Sequence, residues 1–427
     1  MRVLQPWWMA IYSFMAIVLF SLLPPSVYSF YTKERDIMYL NEKFYVFALA
    51  CTLVFCLISL ISARLTSVLP GFRIIRPYRV FYFLSILNVG LSLVKIAYIQ
   101  ISFGLGQIFS SYFGNTAGYT VKDELNEVIA GGKIGWIGDA TLGAMCGILW
   151  IYFYLLRRRK TDTTILLFNI LLFTISAFLS LARDSLTTLV IVGFIVYLSS
   201  IDGNSLKRLY KSVRAILLSL IVVTSLFYVI DSARNKTSGQ NEFIAQLIGY
   251  FPASVNRGAA VVGGQLVYPN NNSGYYSTQF IWDLPLMSRL LALPENARQV
   301  GLDIPLTPGE NWKEQFAHVR SYGFNQRYIW ATIYGFTFND FKWGSIIYFG
   351  LYGVIIGLLY SSYRKNSIFG TFLYPFGLAT IVKWVSVSAF SQRVTLIILA
   401  LVFLTLCIDR IKLTRKVYDE KSFSAGL

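Results

Sequence analysis

Apolar runs recur along the chain between residues 7 and 409, and each is about 20 residues long, the length at which a helix crosses a hydrocarbon core of about 30 Å. The runs are rich in Leu, Ile, Val and Phe without regular polar alternation, which argues against a membrane β-barrel. Of the 427 residues, 55% are hydrophobic and only 14% are charged, so the charges are too few to cover a water-facing surface. The sequence therefore predicts an all-α, polytopic integral membrane protein.

Ten transmembrane spans are predicted, and they divide the chain into three parts. Residues 1–230 contain seven spans, residues 231–340 form one large outer loop, and residues 341–427 contain three spans and a basic tail. Apolar and aromatic stretches in the loop favour short helices that lie against the membrane or over the bundle. The predicted spans are 7–23, 44–62, 80–101, 135–156, 163–181, 185–201, 214–230, 341–361, 368–388 and 394–409.

The charges between the spans predict their orientation. More than half of the 38 basic residues lie at one alternate set of span ends, for example in the run 157–160 after the fourth span. In the opposite short loops, basic residues are fewer and acidic residues offset them. The positive-inside rule then predicts that both termini are cytoplasmic and that the loop 231–340 lies outside. The net charge of +17 is thus a topology signal, and we expect no nucleic-acid partner.

Cysteine and histidine usage bears on metal sites and disulfides. Cys51, Cys56, Cys146 and Cys407 all lie inside predicted spans, and His318 is the single histidine. A disulfide framework is therefore not expected, and a zinc site of the usual cysteine and histidine type has too few ligands. We expect no metal and no cofactor.

A few charges lie at or inside the membrane boundary. Arg183 and Asp184 occupy the very short turn between the fifth and sixth spans. Either they pair with each other and stop the helices, or an arginine on a rigid hairpin faces a lipid-borne anion, since charges at membrane depth tend to mark function. Lys95, inside the third span, snorkels, pairs within the bundle or is functional. For Lys383 and Arg393, which flank the last outer turn, we expect simple anchoring.

The outer loop carries eight acidic and eight basic residues, and six of the basic residues are arginines. Because the acidic and basic residues are equal in number, most of these charges are expected to form salt bridges on a solvated surface. Guanidinium groups, however, also bind phosphate oxygens through two parallel hydrogen bonds. The string AHVRSYGFNQRYIW brings His318, Arg320 and Arg327 together just before the eighth span. Histidine suits proton transfer near neutrality, whereas a lone loop histidine is as often structural.

Two stretches resemble the Wzy-type O-antigen and capsule repeat-unit polymerases and, more distantly, the O-antigen ligases. The first stretch is LARDSLTTLV, at the hairpin. The second is NQRYIWATIYGFTFNDFKWGSIIYFGLYGVIIGLLY, the passage from the outer loop into the eighth span. In this passage, polar residues are followed by an Asp, an aromatic residue and a Gly, and a Gly-rich helix comes next. Arg298 and Gly309 match a spacing of Arg, ten residues and Gly described for some members. The ligases' histidine precedes a small polar residue, whereas Val319 follows His318 here.

The resemblance implies a GT-C-like glycosyltransferase in the bacterial inner membrane that polymerises repeat units carried on undecaprenyl diphosphate. A hydroxyl of the acceptor glycan attacks the donor's anomeric carbon, and lipid diphosphate leaves. The implied partners are undecaprenyl-diphosphate-linked oligosaccharides, membrane lipid, a chain-length regulator and a flippase. An O-antigen ligase and a lipid-linked oligosaccharide flippase are the alternative functions.

The chemistry of this reaction selects residue types for the site. Arginines neutralise the developing charge of a diphosphate leaving group, and a base near neutral pH or a carboxylate assists the hydroxyl. The catalytic candidates are His318, Asp340 and Asp184, with Glu314 as a further possible base. The substrate-binding candidates are Arg183, Arg320, Arg327, Arg257, Arg289 and Arg298.

Overall fold

A computed structural model of the chain describes residues 4–34, 39–65, 76–113, 125, 138–156, 159–199, 242–283, 290–365 and 367–410, with two-residue pieces between 210 and 229. Within this part of the chain every regular element is a helix, which confirms the all-α prediction. The α-helices are α1 Pro6–Ser21, α2 Pro25–Thr32, α3 Glu42–Arg64, α4 Pro77–Ser102, α5 Leu105–Phe113, α6 Asp139–Leu155, α7 Lys160–Leu179, α8 Asp184–Ser199, α9 Glu242–Tyr250, α10 Pro252–Gly263, α11 Tyr275–Trp282, α12 Leu293–Gln299, α13 Pro308–Ser321, α14 Thr332–Phe341, α15 Ser345–Arg364, α16 Ile368–Val382 and α17 Arg393–Arg410. Short 3₁₀ helices cover Lys342–Gly344, Lys383–Val385 and Ala389–Ser391.

Several helices have the length and composition needed to cross a membrane. Five candidates lie among the described residues, and a sixth arises if α1 and α2, which are bent by 88°, are taken as one broken span. The apolar helices α6 and α8 are shorter. The five candidates are Glu42–Arg64, Pro77–Ser102, Lys160–Leu179, Thr332–Arg364 and Ile368–Val385. The chain thus has several helices able to cross a membrane, as a multi-pass membrane protein requires, whereas ten spans and their orientation stay predictions. The predicted span 214–230 is described only in part.

Local sequence explains where several helices begin. The side chain of Asn41 accepts a hydrogen bond from the backbone N–H of Phe44 and caps α3, and the side chain of Ser367 caps α16 in the same way. Pro25 is the first residue of α2, where its missing N–H costs no helical hydrogen bond. The Pro24–Pro25 pair therefore ends α1 and allows the sharp bend into α2.

The core of the bundle forms where α3 and α15 pack closely. A Cβ atom on Gly357 of α15 would lie 2.5 Å from the carbonyl oxygen of Ser59 of α3, so only glycine permits this approach. Trp384 is fully buried beside this contact, with its ring centroid 5.0 Å from that of Phe55 and 5.4 Å from that of Phe349. Close backbone approach through small residues is a common way to pack membrane helices.

The long segment between the predicted seventh and eighth spans enters this same core. In α10, Pro252 to Val262 are all buried, and α10 contacts α1, α2, α3 and α14. A Cβ atom on Gly335 of α14 would lie 2.8 Å from the Cα atom of Gly258 of α10. Part of the segment is therefore a core element packed into the bundle, which differs from the expectation of helices lying over it.

The glycine contact between α3 and α15 generates a stability prediction. Gly357→Ala should lower the free energy of unfolding by about 1–3 kcal/mol, because the added methyl group overpacks the backbone of α3. Gly350→Ala on the same helix is the matched control, since its Cβ atom would meet Val54 at 3.7 Å, an ordinary contact. Thermal unfolding in detergent measures both variants, and equal melting temperatures would contradict the close approach.

Candidate functional site

The two charges of the short hairpin before α8 have different neighbours. The carboxylate of Asp184 lies 2.6 Å from Nζ of Lys383, which also donates a hydrogen bond to the hydroxyl of Thr188 at 2.7 Å. The guanidinium of Arg183 lies 4.8 Å from the ring centroid of Tyr250 and donates a hydrogen bond to its hydroxyl. Asp184 thus pairs across the bundle with the turn after α16, while Arg183 packs on α9.

Asp184 lines a cleft of about 270 Å³ between α6, α8, α11 and the start of α17, which we call the α8–α11 cleft. The cleft is lined by small and apolar residues of α6 and α16 and by residues with hydroxyl, amide and charged groups. The polar lining residues are Asp184, Ser185, Thr188, Gln279, Asp283, Gln392 and Arg393. The cleft therefore offers hydrogen-bond donors, acceptors and both signs of charge at the ends of apolar helices.

Asp283 is the buried carboxylate of the α8–α11 cleft. It accepts hydrogen bonds from the hydroxyl of Tyr275 at 3.1 Å and from Nε2 of Gln279 at 2.8 Å. Burial raises the pKa of Asp283 above its ordinary value, and the hydrogen bonds and the charge of Arg393 oppose this rise only in part. A carboxylate whose pKa is raised toward neutrality suits a general base.

Arg393 is half-buried in the cleft and forms no ion pair within the described part of the chain. Its positive charge still acts on Asp283. Lys383, in contrast, is engaged by Asp184 and Thr188. Among the described residues, no side chain occupies the guanidinium of Arg393, which therefore has hydrogen-bond donors available for a ligand.

Two tertiary hydrogen bonds hold α11 over the cleft. Asp340, at the end of α14, accepts a hydrogen bond from the backbone N–H of Ser277 at 2.6 Å, and that N–H is among the unpaired donors of the first turn of α11. The hydroxyl of Ser391 donates to the carbonyl oxygen of Tyr276 at 2.5 Å. Asp340 therefore caps α11 from another helix, as an acidic group at a helix N-terminus should, and so positions Asp283.

Arg257 lies in a fully buried ion pair away from the cleft. Its guanidinium pairs with Glu34, donates to the carbonyl oxygens of Ala253 and Asn325 at 3.1 Å, and lies 5.1 Å from the ring centroid of Phe324. The backbone N–H of Asn325 also donates to Glu34, at 2.7 Å. This network ties the turn after α2 to α10 and to the segment after α13, so Arg257 has a structural place in the fold.

The aromatic pair Tyr250 and Tyr328 lies between Arg183 and Arg257. The two ring centroids are 6.4 Å apart, and the guanidinium of Arg257 is 6.0 Å from the ring of Tyr328. Arg327, next to Tyr328 in the chain, is exposed. The hairpin and the segment before α14 are therefore neighbours, as the sequence-based hypothesis of a site at their junction requires.

The other predicted site residues are spread over the long segment. Arg298 pairs with Glu310 at 3.3 Å and donates to the carbonyl oxygen of Ile304 at 2.6 Å, which closes the loop between α12 and α13. His318 is half-buried on α13, with Nδ1 3.4 Å from the carbonyl oxygen of Val267, and Arg320 is exposed on the same helix.

Two more of the predicted site residues, Glu314 and Arg289, belong to the long segment. Glu314 is half-buried on α13, and its pKa is raised by burial and by the nearby carboxylates Glu310 and Asp303. Arg289 lies outside the described residues. Within the described part, no hydrogen bond or ion pair joins His318, Arg320 or Arg327 to the α8–α11 cleft. The structure therefore places Asp184, Asp283 and Arg393 in one cleft. His318 and Arg320 lie on a separate helix, α13.

Sequence reasoning did not single out Asp283, Gln279 or Arg393 as site residues. Asp283 is one of eight acidic residues in the long segment, and its partners come from α11 itself and from a helix that begins more than 100 residues later. A signal was present at Lys383 and Arg393, since both lie at the same predicted membrane boundary as Arg183 and Asp184. Treating the charges of that boundary as one set would have found Arg393 and the pair of Lys383 with Asp184.

Comparison with known proteins and sites adds no assignment. In the described residues, no group of three or more His, Cys, Asp or Glu side chains is arranged to hold a metal ion. No protein-family model, curated protein or solved structure matches this chain. The geometry of the cleft is therefore the basis for the functional argument.

The buried pair of Arg257 and Glu34 generates a prediction that separates structure from substrate binding. Arg257→Ala leaves an unpaired buried carboxylate and should lower the free energy of unfolding by about 3–5 kcal/mol. Arg320→Ala, at an exposed position, should change it by less than about 0.5 kcal/mol. Thermal unfolding of both purified variants in detergent tests this, and an Arg257→Ala protein as stable as the wild type would contradict the structural role of the ion pair.

Proposed function

We propose that this protein is a glycosyltransferase that polymerises undecaprenyl-diphosphate-linked oligosaccharide repeat units into O-antigen or capsular polysaccharide at the outer face of the bacterial inner membrane. The sequences of the hairpin and of the passage into α15 resemble those of Wzy-type polymerases, which supports the proposal. The presence of several helices able to cross a membrane supports it as well. The observation that carries it is the α8–α11 cleft, where a buried carboxylate lies together with an arginine that forms no ion pair within the described residues, at the ends of apolar helices.

The reaction assigns a role to each of these groups. A hydroxyl oxygen of the acceptor's terminal sugar forms a bond to the donor's anomeric carbon, while the bond from that carbon to the diphosphate oxygen breaks. The leaving diphosphate keeps the bonding electron pair, and the hydroxyl proton passes to the carboxylate of Asp283. Asp283 is suited to this role because its raised pKa brings it closer to the pH at which it must accept the proton.

The leaving diphosphate requires positive charge near the breaking bond. Arg393 supplies a guanidinium that can bind two phosphate oxygens at once and stays charged at any physiological pH. Lys383 pairs with Asp184 and so holds this carboxylate at the edge of the cleft. Arg183 and Arg327, on the two segments that meet at Tyr250 and Tyr328, are assigned to the lipid-linked part of the substrate, and Arg257 is left out because it pairs with Glu34 in the core. A substrate-binding role of Arg320, on α13, stays a prediction.

The size of the cleft fits part of the substrate. A volume of about 270 Å³ is slightly below the lower end, about 300 Å³, of typical small-molecule pockets. It therefore suits the reacting sugar and its linkage, while the rest of the repeat unit extends along the long outer segment. Hydroxyl and amide side chains such as Ser185, Gln279 and Gln392 provide donors and acceptors for sugar hydroxyls.

Substitution of the proposed base tests the site. Asp283→Asn keeps the shape of the side chain but cannot accept the proton, so the rate of chain extension should fall by about 10²–10⁴-fold. Asp303→Asn, an exposed acid in the same segment, is the matched control and should leave the ladder of glycan lengths unchanged. Glycan profiles from a deletion strain complemented with each variant provide the measurement.

The same strain tests the predicted alternatives for the base. If His318→Ala abolishes long chains while Asp283→Asn retains them, the base belongs to α13 and our assignment is wrong. Protein amounts in the membrane, measured by immunoblot, must match between variants so that loss of product reports chemistry rather than loss of protein.

Pronounced differences between deletion phenotypes separate the three possible functions. A polymerase deletion leaves single repeat units attached at the cell surface, because ligation still occurs. An O-antigen ligase deletion removes all repeat units from the surface, and a flippase deletion accumulates lipid-linked units on the cytoplasmic face. Either of the latter two phenotypes would overturn the proposal.

A further inference from the structure

A second polar feature lies inside the bundle, where α4, α6 and α7 pack against one another. On α4, Ser85, Asn88, Ser92 and Lys95 follow at intervals of three, four and three residues, which places them on one face of the helix. None of the four is more than 4% exposed. A helix long and apolar enough to cross a membrane thus carries a buried polar stripe along its length.

The two neighbouring helices carry matching polar residues. On α7, Asp162, Asn169 and Ser176 are each seven residues apart and fully buried. On α6, Asp139 and Cys146 show the same interval. Seven residues are close to two helical turns, so each set lies along one helix face.

Hydrogen bonds join the three helices at the middle of this stripe. Nδ2 of Asn88 lies 3.0 Å from Oδ1 of Asn169 and 3.4 Å from Sγ of Cys146. Nδ2 of Asn169 donates in turn to the carbonyl oxygen of Ile165 at 2.9 Å. The interface of α4, α6 and α7 is therefore polar at its middle, although these helices are mostly apolar.

Each end of the stripe carries a carboxylate. At one end, Nζ of Lys95 lies 2.5 Å from Oδ1 of Asp139, and at the other the hydroxyl of Tyr82 donates to Oδ1 of Asp162 at 3.0 Å. Tyr82 and Lys95 are 13 residues apart on α4, which corresponds to about 20 Å along a helix axis. We call this set, from Asp162 to Asp139, the polar track, and it covers most of a hydrocarbon core of about 30 Å.

Several polar atoms along the polar track lack a partner. Among the described residues, Oγ of Ser85, Oδ1 of Asn88, Oγ of Ser92 and Oγ of Ser176 are buried and accept or donate no hydrogen bond. Polar residues that only hold helices together would pair with each other, and dry unpaired groups are costly. These four atoms are distributed along the track, and each has hydrogen-bonding capacity that a water molecule between the helices can use.

We propose that α4, α6 and α7 enclose a file of water molecules that conducts protons between the two membrane faces along the polar track. A proton that reaches Asp162 is passed along the file as each water breaks one O–H bond and receives a proton from the preceding water, and it leaves at Asp139. The Lys95–Asp139 ion pair keeps the exit neutral and limits the flow. Glycosyl transfer requires no proton to cross the membrane, so this activity is independent of the function proposed above.

Proton flux into vesicles tests the polar track. The full-length protein is reconstituted in liposomes that contain a pH-sensitive dye, and a potassium gradient with valinomycin drives protons inward. Wild-type vesicles should acidify at least tenfold faster than protein-free vesicles. Ser92→Ala with Ser176→Ala removes two water-binding hydroxyls with little change in volume and should reduce the flux at least tenfold.

The matched control replaces hydroxyls on the same α7 helix that bond to their own helix backbone, Thr164→Ala with Thr174→Ala. It should retain the wild-type flux. A wild-type rate equal to that of protein-free vesicles would overturn the proposal, as would equal losses in the two double variants.

Thiol chemistry gives a second measurement that does not depend on flux. Single-cysteine proteins with only Cys146 or only Cys51 compare two fully buried thiols, one on the polar track and one in the apolar core. In D₂O, the S–H group of Cys146 should exchange its proton for deuterium at least tenfold faster than that of Cys51, as followed by the infrared S–H stretching band. Equal rates for the two thiols would show that no water reaches the track and would overturn the proposal.

Discussion

The need to pair buried charges inside an apolar bundle is the constraint on which this structure depends. A charge placed among apolar helices is tolerated only with a partner. Arg257 with Glu34 and Lys95 with Asp139 are two such pairs, and each joins segments that are far apart in the chain. The first pair fixes α10 and the segment before α14 against the turn after α2. Buried polar contacts therefore decide how the long segment meets the bundle.

The candidate site follows from that arrangement. Because α10 packs on α14 through a glycine contact, the end of α14 reaches the start of α11, and Asp340 caps α11 there. The capped helix then holds Asp283 above the ends of α6 and α8. Asp340 was a catalytic candidate from its sequence context, and its observed contacts give it a positioning role in the same site. Its catalytic role stays a prediction.

The sequence predicts the helices better than it predicts the site, for a physical reason. Apolar length is a local property, so the runs at 44–62 and 80–101 correspond to α3 and α4 within a few residues. The sequence predicts short helices over the bundle in this segment, but the burial of α10 depends on close packing through small residues such as Gly258, which no hydrophobic pattern shows. The meeting of Asp283 with Arg393 was missed because it depends on tertiary contacts that no local pattern carries. For Lys95, the sequence leaves open snorkelling, pairing within the bundle or a functional role, and the structure shows an ion pair with Asp139.

The central claim is that the reacting sugar binds in the α8–α11 cleft, and photocrosslinking tests it most directly. A lipid-diphosphate-linked repeat unit with a diazirine on its reducing-end sugar is bound to the purified protein and irradiated, and the labelled peptides are identified by mass spectrometry. The account predicts labels on the peptides that contain Asp184 to Thr188 and Gln279 to Asp283, with competition by unlabelled substrate. Labels confined to α13, around His318 and Arg320, would contradict it.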